Sequence, residues 1–178
     1  MNPAPDLLQC EHMNAVSFAT SFGHCALAWN EKGLTSFQLP GDKNVVSPHG
    51  ATPDWIGSII SRVQHHLDGD FQNFADLRFD FSLVTSFQHS VYVAAFAVLA
   101  GETRTYGWLS NALGRGPSAS RAVGTALGRN PWPLLVPCHR FLGANGKLTG
   151  YSAPGGIETK QRLLALERAE LPIAIAPL

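Results

Sequence analysis

The stretch NPWPLLVPCHR, Asn130 to Arg140, sets a thiol beside an imidazole directly after a proline. Pro137 has no N–H, fixes its own φ and pushes Val136 toward an extended conformation. LLVP is therefore expected to end a buried strand or extended segment, with Cys138 standing where the ordered element stops. Successive side chains tend to point to different sides, so Cys138 and His139 need not touch. A proton would then pass between them through a bridging water. A cysteine taken alone is more often a buried hydrophobe than a nucleophile, and the residues around it have to supply the difference.

One clue lies downstream. GIETKQRLLALERAEL predicts an amphipathic helix from Ile157 to about Leu171. At about 100° per residue, Ile157, Leu163, Leu164, Leu166 and Leu171 share a broad arc, and Glu167 falls near its middle. A carboxylate there is costly unless paired or hydrogen-bonded. His139 is one partner: a carboxylate that holds one ring nitrogen leaves the other to take a proton from a thiol or water. Cys138, His139 and Glu167 would then form a relay. Arg140 and Arg162 are the competing partners, and the pattern alone leaves the choice open.

Upstream, Thr85 or Ser86 caps a predicted helix from about Phe87 to Leu99, which Gly101 ends. Thr105 caps another over Tyr106–Leu113, closed by Gly114-Arg115-Gly116-Pro117, and Ser118 or Ser120 opens a third that stops near Gly128. The last two make a helix-turn-helix candidate. The surface of the third, SASRAVGTALG, offers small residues and one long side chain, Arg121. Such a helix either packs closely on a neighbour or lies in a groove of DNA with Arg121 reaching into the duplex. Charge permits the second reading: from Thr103 to Lys147 there are six basic residues, Arg104, Arg115, Arg121, Arg129, Arg140 and Lys147, and no acidic one. A solvated face with counter-charges from elsewhere in the fold is the alternative.

The first half looks different. SFGHCALAWNEKGLTSFQLP reads as two short strands about an N-E-K-G turn. Gly41 to Pro53 reads as a loop, Pro53 to Leu67 as a helix through Trp55, Ile59, Ile60, Val63 and Leu67, and Asp68 to Phe81 as loop and strand. Asn145-Gly146 suggests a tight hairpin turn. The division falls near Thr85, giving an expected α+β chain with a mixed part over 1–84 and a mostly helical part over 85–178.

Thirteen basic residues balance thirteen acidic ones, so no global field advertises a nucleic-acid partner. The three cysteines, Cys10, Cys25 and Cys138, are too few and too irregular for a disulfide scaffold and suit a reducing, cytoplasmic setting. The N-terminal residues show no targeting pattern, and VYVAAFAVLA is about half a membrane span. Cys10, His12, His24 and Cys25 match no standard zinc spacing, so no metal is expected. Trp132 and Tyr151 read as core or lid aromatics.

Together NPWPLLVPCHR, the preceding GETRTYG and SRAVGTAL, and the following GYS…GG…LLALE resemble the O6-alkylguanine-DNA alkyltransferases. The likeness is strongest from about Ser86 to Glu167 and general before it. It implies an N-terminal α/β domain with a ribonuclease-H-like sheet, then a winged-helix-like domain carrying the helix-turn-helix and the thiol. The implied activity is stoichiometric, irreversible transfer of the O6-alkyl group of guanine, with O4-methylthymine as a further substrate, from a base rotated out of double-stranded DNA. No cofactor is implied, and a monomer is expected.

By the same resemblance Cys138 is the acceptor, His139 its base through a water, and Glu167 the orienter of His139. Asn130 holds the active-site turn, and Tyr106 donates to the departing purine and assists base rotation. Arg121 is the arginine finger that enters the stack; Ser118, Ala119, Ala122 and Gly124 lie along the minor groove; Pro133, Phe141, Tyr151 and Ser152 surround the base. The chain departs from the family pattern at Ala153-Pro154, which separates Tyr151 from the Gly155-Gly156 pair, at the bulky Trp132 and Phe141, and at Ala100. These changes bear on alkyl-group preference more than on methyl transfer.

Overall fold

The computed structural model describes residues 14–41 and 50–169. Cys10, His12, Leu171 and most of the expected 41–53 loop lie outside them. Among the described residues the chain is a mixed α/β structure with one small antiparallel sheet, a two-stranded parallel ladder and five α-helices.

The sheet runs β1 (Asn14–Thr20), β2 (Gly23–Trp29) and β3 (Leu34–Gln38) in that order. The sequence pattern gave two of these strands. The missed one, β1, joins β2 through a two-residue turn closed by Thr20, whose hydroxyl accepts from Phe22 N at 3.2 Å and donates to Gly23 O at 2.7 Å. The N-E-K-G turn is present between β2 and β3, where Asn30 Oδ1 accepts from the amides of Lys32 and Gly33 at 2.8 and 3.0 Å. Gly33 is obligatory there: φ is 151° and a Cβ would stand 2.5 Å from the Arg78 carbonyl oxygen.

Helix α1 (Asp54–Leu67) buries Ile56, Ile59, Val63, His66 and Leu67. The expected strand within Asp68–Phe81 does not form; only an isolated bridge, Leu34 to Phe79, marks it. A capping box at Thr85 and Gln88 starts α2 (Ser86–Ala95), which stops four residues before the expected Leu99. Thr105 caps α3 (Tyr106–Ala112) as expected, and α4 (Ser120–Gly128) follows a single 3-10 turn over Pro117–Ala119. Tyr92 ties α2 to α4 by donating its hydroxyl to Ala126 O at 2.9 Å.

The parallel ladder pairs β4 (Arg104–Thr105) with β5 (Phe141–Leu142). It matters for position, because it fixes the two residues after Cys138-His139-Arg140 against the two residues before Tyr106. Asn145 and Gly146 take left-handed conformations, φ 59° and 74°, in a tight turn after β5, although no second strand pairs across it. The last described helix, α5 (Gly156–Leu166), is shorter than the predicted one: Glu167 is its C-cap and Arg168 is left-handed at φ 54°. Ile157, counted with the buried arc, is exposed.

The buried apolar side chains form one cluster that runs through both halves, from Leu27, Phe37 and Val63 to Tyr92, Val123, Trp132 and Leu163. Trp132 is its hub. Phe79, Phe81 and Tyr92 meet its ring edge-on at 5.1, 5.5 and 6.1 Å, and its indole N–H donates to Leu34 O at 3.0 Å. None of the described helices is long and apolar enough to cross a membrane.

Candidate active site

The reactive segment is not the extended strand that Pro137 suggests. Asn130 folds it instead. Its Oδ1 accepts from Trp132 N at 2.9 Å, and its Nδ2 donates to Val136 O at 3.1 Å and lies 3.2 Å from Cys138 Sγ. Leu134 adopts a left-handed φ of 78° within this tight loop, and Cys138–Arg140 form a 3-10 turn. Side-chain hydrogen bonds to three groups eight residues apart or fewer outweigh the local bias toward extended backbone.

Cys138 is 5% exposed. Burial raises its pKa, and the Asn130 donor and the charge on Lys160 only partly offset that, so the resting group is a protonated thiol. A nucleophile in this state needs a base.

Behind the thiol lies a closed polar network centred on Glu167, whose side chain is fully buried. His139 Nε2 lies 3.0 Å from Oε1. Arg140 grips the carboxylate with two bonds, Nε to Oε2 at 2.9 Å and Nη2 to Oε1 at 2.7 Å, and a third from Nη1 reaches Val98 O at 2.7 Å. His66, from α1, adds another contact to Oε1 at 3.0 Å. Burial alone would raise the Glu167 pKa; His139, His66 and Arg140 together hold it far below the usual carboxylate range. Of the three partners left open by the sequence, His139 and Arg140 are both used, and Arg162 instead stacks on Phe22 at 4.4 Å. Burial lowers the His139 pKa, and the Glu167 charge opposes that without cancelling it. A neutral His139 that donates through Nε2 keeps its lone pair on Nδ1, and Nδ1 is buried with no protein partner among the described residues.

In front of the thiol the chain is open. Tyr106, Ser120, Arg121, Gly124, Thr125, Gly128 and the 149–152 segment enclose a cleft of about 470 Å³. A narrow cavity lined by Tyr106, Leu127, Gly128, Cys138, Gly150, Tyr151 and Ser152 continues it to the sulfur. Tyr106 donates to Thr149 O at 3.3 Å, and burial raises its pKa, as burial and then the neighbouring Cys138 raise that of Tyr151. Both phenols therefore remain proton donors at neutral pH.

The structure thus brings Cys138, His139, Glu167, Asn130, Tyr106, Arg121, Gly124, Tyr151 and Ser152 to one place. Ser118 and Ala119 occupy the turn that leads into α4. Ala122 lies round the helix from Arg121, on a separate cleft with Gln88 and Arg129. Pro133 lines another groove, with Gln38, Pro131 and Pro154. Phe141 is fully buried in the core and touches neither opening. Of the six basic side chains from Thr103 to Lys147, Arg140 turns inward, and Arg104 stacks on Trp108 at 5.5 Å and meets Glu102 at 3.7 Å. Among the described residues no cluster of metal-binding side chains occurs.

Sequence reading missed two site residues. Lys160 is fully buried, donates to Phe141 O at 2.5 Å and Thr149 O at 3.2 Å, and lies 3.5 Å from the Tyr106 hydroxyl; burial lowers its pKa to about 8. Its spacing three and four residues before Leu163 and Leu164 is the signal that places it on the inner side of α5. His66 gave no such sign of a partner, since Glu167 lies 101 residues away.

Comparison with known proteins agrees with this geometry. Residues 86–169 match the family model described as 6-O-methylguanine DNA methyltransferase, DNA binding domain. A methylated-DNA--protein-cysteine methyltransferase of Mycolicibacterium paratuberculosis is 37% identical over 155 residues, which cover 86% of this chain and 91% of that one. The chain belongs to the methylated-DNA--protein-cysteine methyltransferase family. A second member, from Methanosarcina acetivorans, is 38% identical over 156 residues, 84% of this chain and 95% of that one. Among solved structures of this methyltransferase family, the Mycobacterium tuberculosis OGT in complex with DNA superposes with a TM-score of 0.71 at 35% identity, covering 89% of this chain and 95% of that one.

Proposed function

We propose that this chain repairs alkylated DNA by taking the O6-alkyl group of a flipped-out guanine onto Cys138, once per molecule. The observation that carries the reading is the thiol itself. It stands at the floor of an open cleft, with His139 and Glu167 closed behind it. In the step, the Cys138 sulfur forms a bond to the alkyl carbon as the carbon–O6 bond breaks. The thiol proton passes through a water to His139 Nδ1, and the purine leaves with a hydrogen bond or proton from the Tyr106 hydroxyl.

Asn130 holds the turn that presents the sulfur, and Glu167 orients His139. Arg121, exposed at the rim, fills the space the base vacates, offsetting part of the few kcal/mol of unstacking. Ser118 and Ala119 in the turn before α4, with Ala122 and Gly124 on it, give the duplex a close approach, and Tyr151 and Ser152 contact the base. Pro133 and Phe141 act through the loops that frame the pocket. In this reading α3 and α4 form the helix-turn-helix of a winged-helix-like unit over 85–178, and residues 1–84 form a ribonuclease-H-like α/β unit. The capping box at Thr85 and the family match that begins at residue 86 support that division. Free thiols at Cys25 and Cys138 support a reducing, cytoplasmic setting.

The test is incubation with a duplex oligonucleotide that carries O6-methylguanine, followed by mass spectrometry of the digested protein. The peptide containing Cys138 should gain one methylene, once per chain, and the DNA should lose it. Demethylation by a Cys138→Ala protein would sink the mechanism.

A further inference from the structure

His66 lies outside the reactive segment, 101 residues before Glu167, yet both its ring nitrogens are partnered and one of them meets the site through Glu167. Its side chain is fully buried. Nδ1 accepts the backbone N–H of Gln72 at 3.1 Å. A backbone N–H only donates, so Nδ1 must carry the lone pair. The ring proton of neutral His66 is then on Nε2, which points at Glu167 Oε1 from 3.0 Å. Phe71 and Phe74 pack on the ring at 5.6 and 5.4 Å and fix its plane.

We propose that His66 is a positioning residue for alkyl transfer: it shares Glu167 Oε1 with His139, holds His139 in the tautomer with Nδ1 unprotonated, and weakens the carboxylate's hold on a protonated His139. The proposal rests on the reading that His139 is the base for Cys138. A carboxylate oxygen that serves one imidazole alone stabilises the imidazolium strongly; one that also accepts from a neutral second imidazole and from Arg140 stabilises it less. His139 is thereby left neutral and able to accept at neutral pH.

The groups that face His139 are Glu167, Arg140 and His66, and those on the thiol side are Cys138, Lys160 and Tyr151. The other titratable pairs near this end of α1, Arg62 with Asp76 and His65 with Asp70, are at the surface. Only His66 among these reaches Glu167 from α1.

The experiment measures the single-turnover transfer rate from an O6-methylguanine duplex across pH 5 to 9, for the native chain, His66→Phe, His66→Gln and His139→Phe. Affinity for undamaged duplex is measured alongside. In the native chain the rate should fall on the acid side as His139 protonates. His66→Phe should move that limb up by about one pH unit, the scale of one hydrogen bond to a charged acceptor, with DNA affinity unchanged. His66→Gln, which keeps an N–H at the same reach, should return it. A limb that vanishes in His139→Phe but does not move in His66→Phe overturns this proposal alone. A native profile without the limb, matched by His139→Phe, overturns the His139 reading and this proposal with it. Should the variants fold poorly, ¹⁵N-histidine NMR of the native chain decides: both imidazoles should be Nε2–H tautomers, and an Nδ1–H on either is the contrary result.

Discussion

The two sides of Cys138 are built on opposite principles. The front is a cleft walled by Gly124, Gly128, Gly150 and short hydroxyl side chains between Tyr106 and Tyr151, with Arg121 exposed at its rim. The back is sealed: His139, His66, Arg140 and Glu167 are buried and joined by four contacts of 2.7 to 3.0 Å. The front must admit something bulky and release it, so it leaves room. The back must hold one imidazole in one tautomer, so it leaves none. Substitutions should therefore separate cleanly, with stability and chemistry lost together at the back and chemistry alone lost at the front.

The largest effect expected is from Glu167→Gln. It removes the charge that pairs with the buried Arg140 guanidinium and turns one of its two accepting oxygens into an NH2 donor, and should cost about 3–5 kcal/mol of unfolding free energy, read by chemical denaturation, along with most of the transfer activity. A stable, active Glu167→Gln protein would erase the distinction between the two sides.

Acid should act on the back next. The folded-state pKa of Glu167 lies below its unfolded value of about 4.3, and that of His139 below about 6.5. In both cases the unfolded chain binds protons that the folded chain refuses, so stability falls as pH drops. It should decline from about pH 6.5 downward, first through His139 and then, from about pH 4.3 down, through Glu167, with the carboxylate part of the slope missing in Glu167→Gln.

Arg121→Ala tests the front. It should leave the midpoint of unfolding within about 0.5 kcal/mol of the native chain and slow transfer from duplex DNA by about 10- to 100-fold, the scale of the unstacking cost. Transfer from the free modified base should barely change; equal losses on both would remove the flipping role. Gly124→Ala should be the mildest. A Cβ there meets only the Tyr106 ring, at 3.9 Å, an ordinary contact, and alanine favours the helix by up to about 1 kcal/mol. A small rise in stability with a modest loss of DNA affinity is expected, and a large loss of either would mean that the wall of the cleft is less tolerant than its packing shows.

Legibility in the sequence followed the same divide. The front was readable because its signals are local: Thr105 before Tyr106, the glycine-rich turn, and the small-residue face around Arg121. The back was half readable. Glu167 was singled out for lying within the apolar arc of a long helix, yet α5 ends at Leu166 and Glu167 is buried as its C-cap, beside a left-handed Arg168. Glu167 does meet His139, but from a cap position rather than from a helix face. LLVP was read from backbone preference as extended, whereas the three hydrogen-bonding contacts of one asparagine side chain decide its shape. His66 stayed hidden because a lone histidine at a helix end carries no mark of a partner on the far side of the chain. β1 was missed because its alternation is weak and its turn to β2 is held by a threonine rather than by Asn-Gly.

The outer edge of β3 is covered rather than open. The Phe37 amide donates to Pro131 O at 2.9 Å, three residues from the Leu34 carbonyl that receives the Trp132 indole. The reactive loop thus completes the sheet as an irregular fourth rung. Deuterium uptake at the Phe37 amide becomes a clock for that loop: any opening that frees Asn130–Arg140 must unmask an amide that is just over a hundred residues upstream of the thiol.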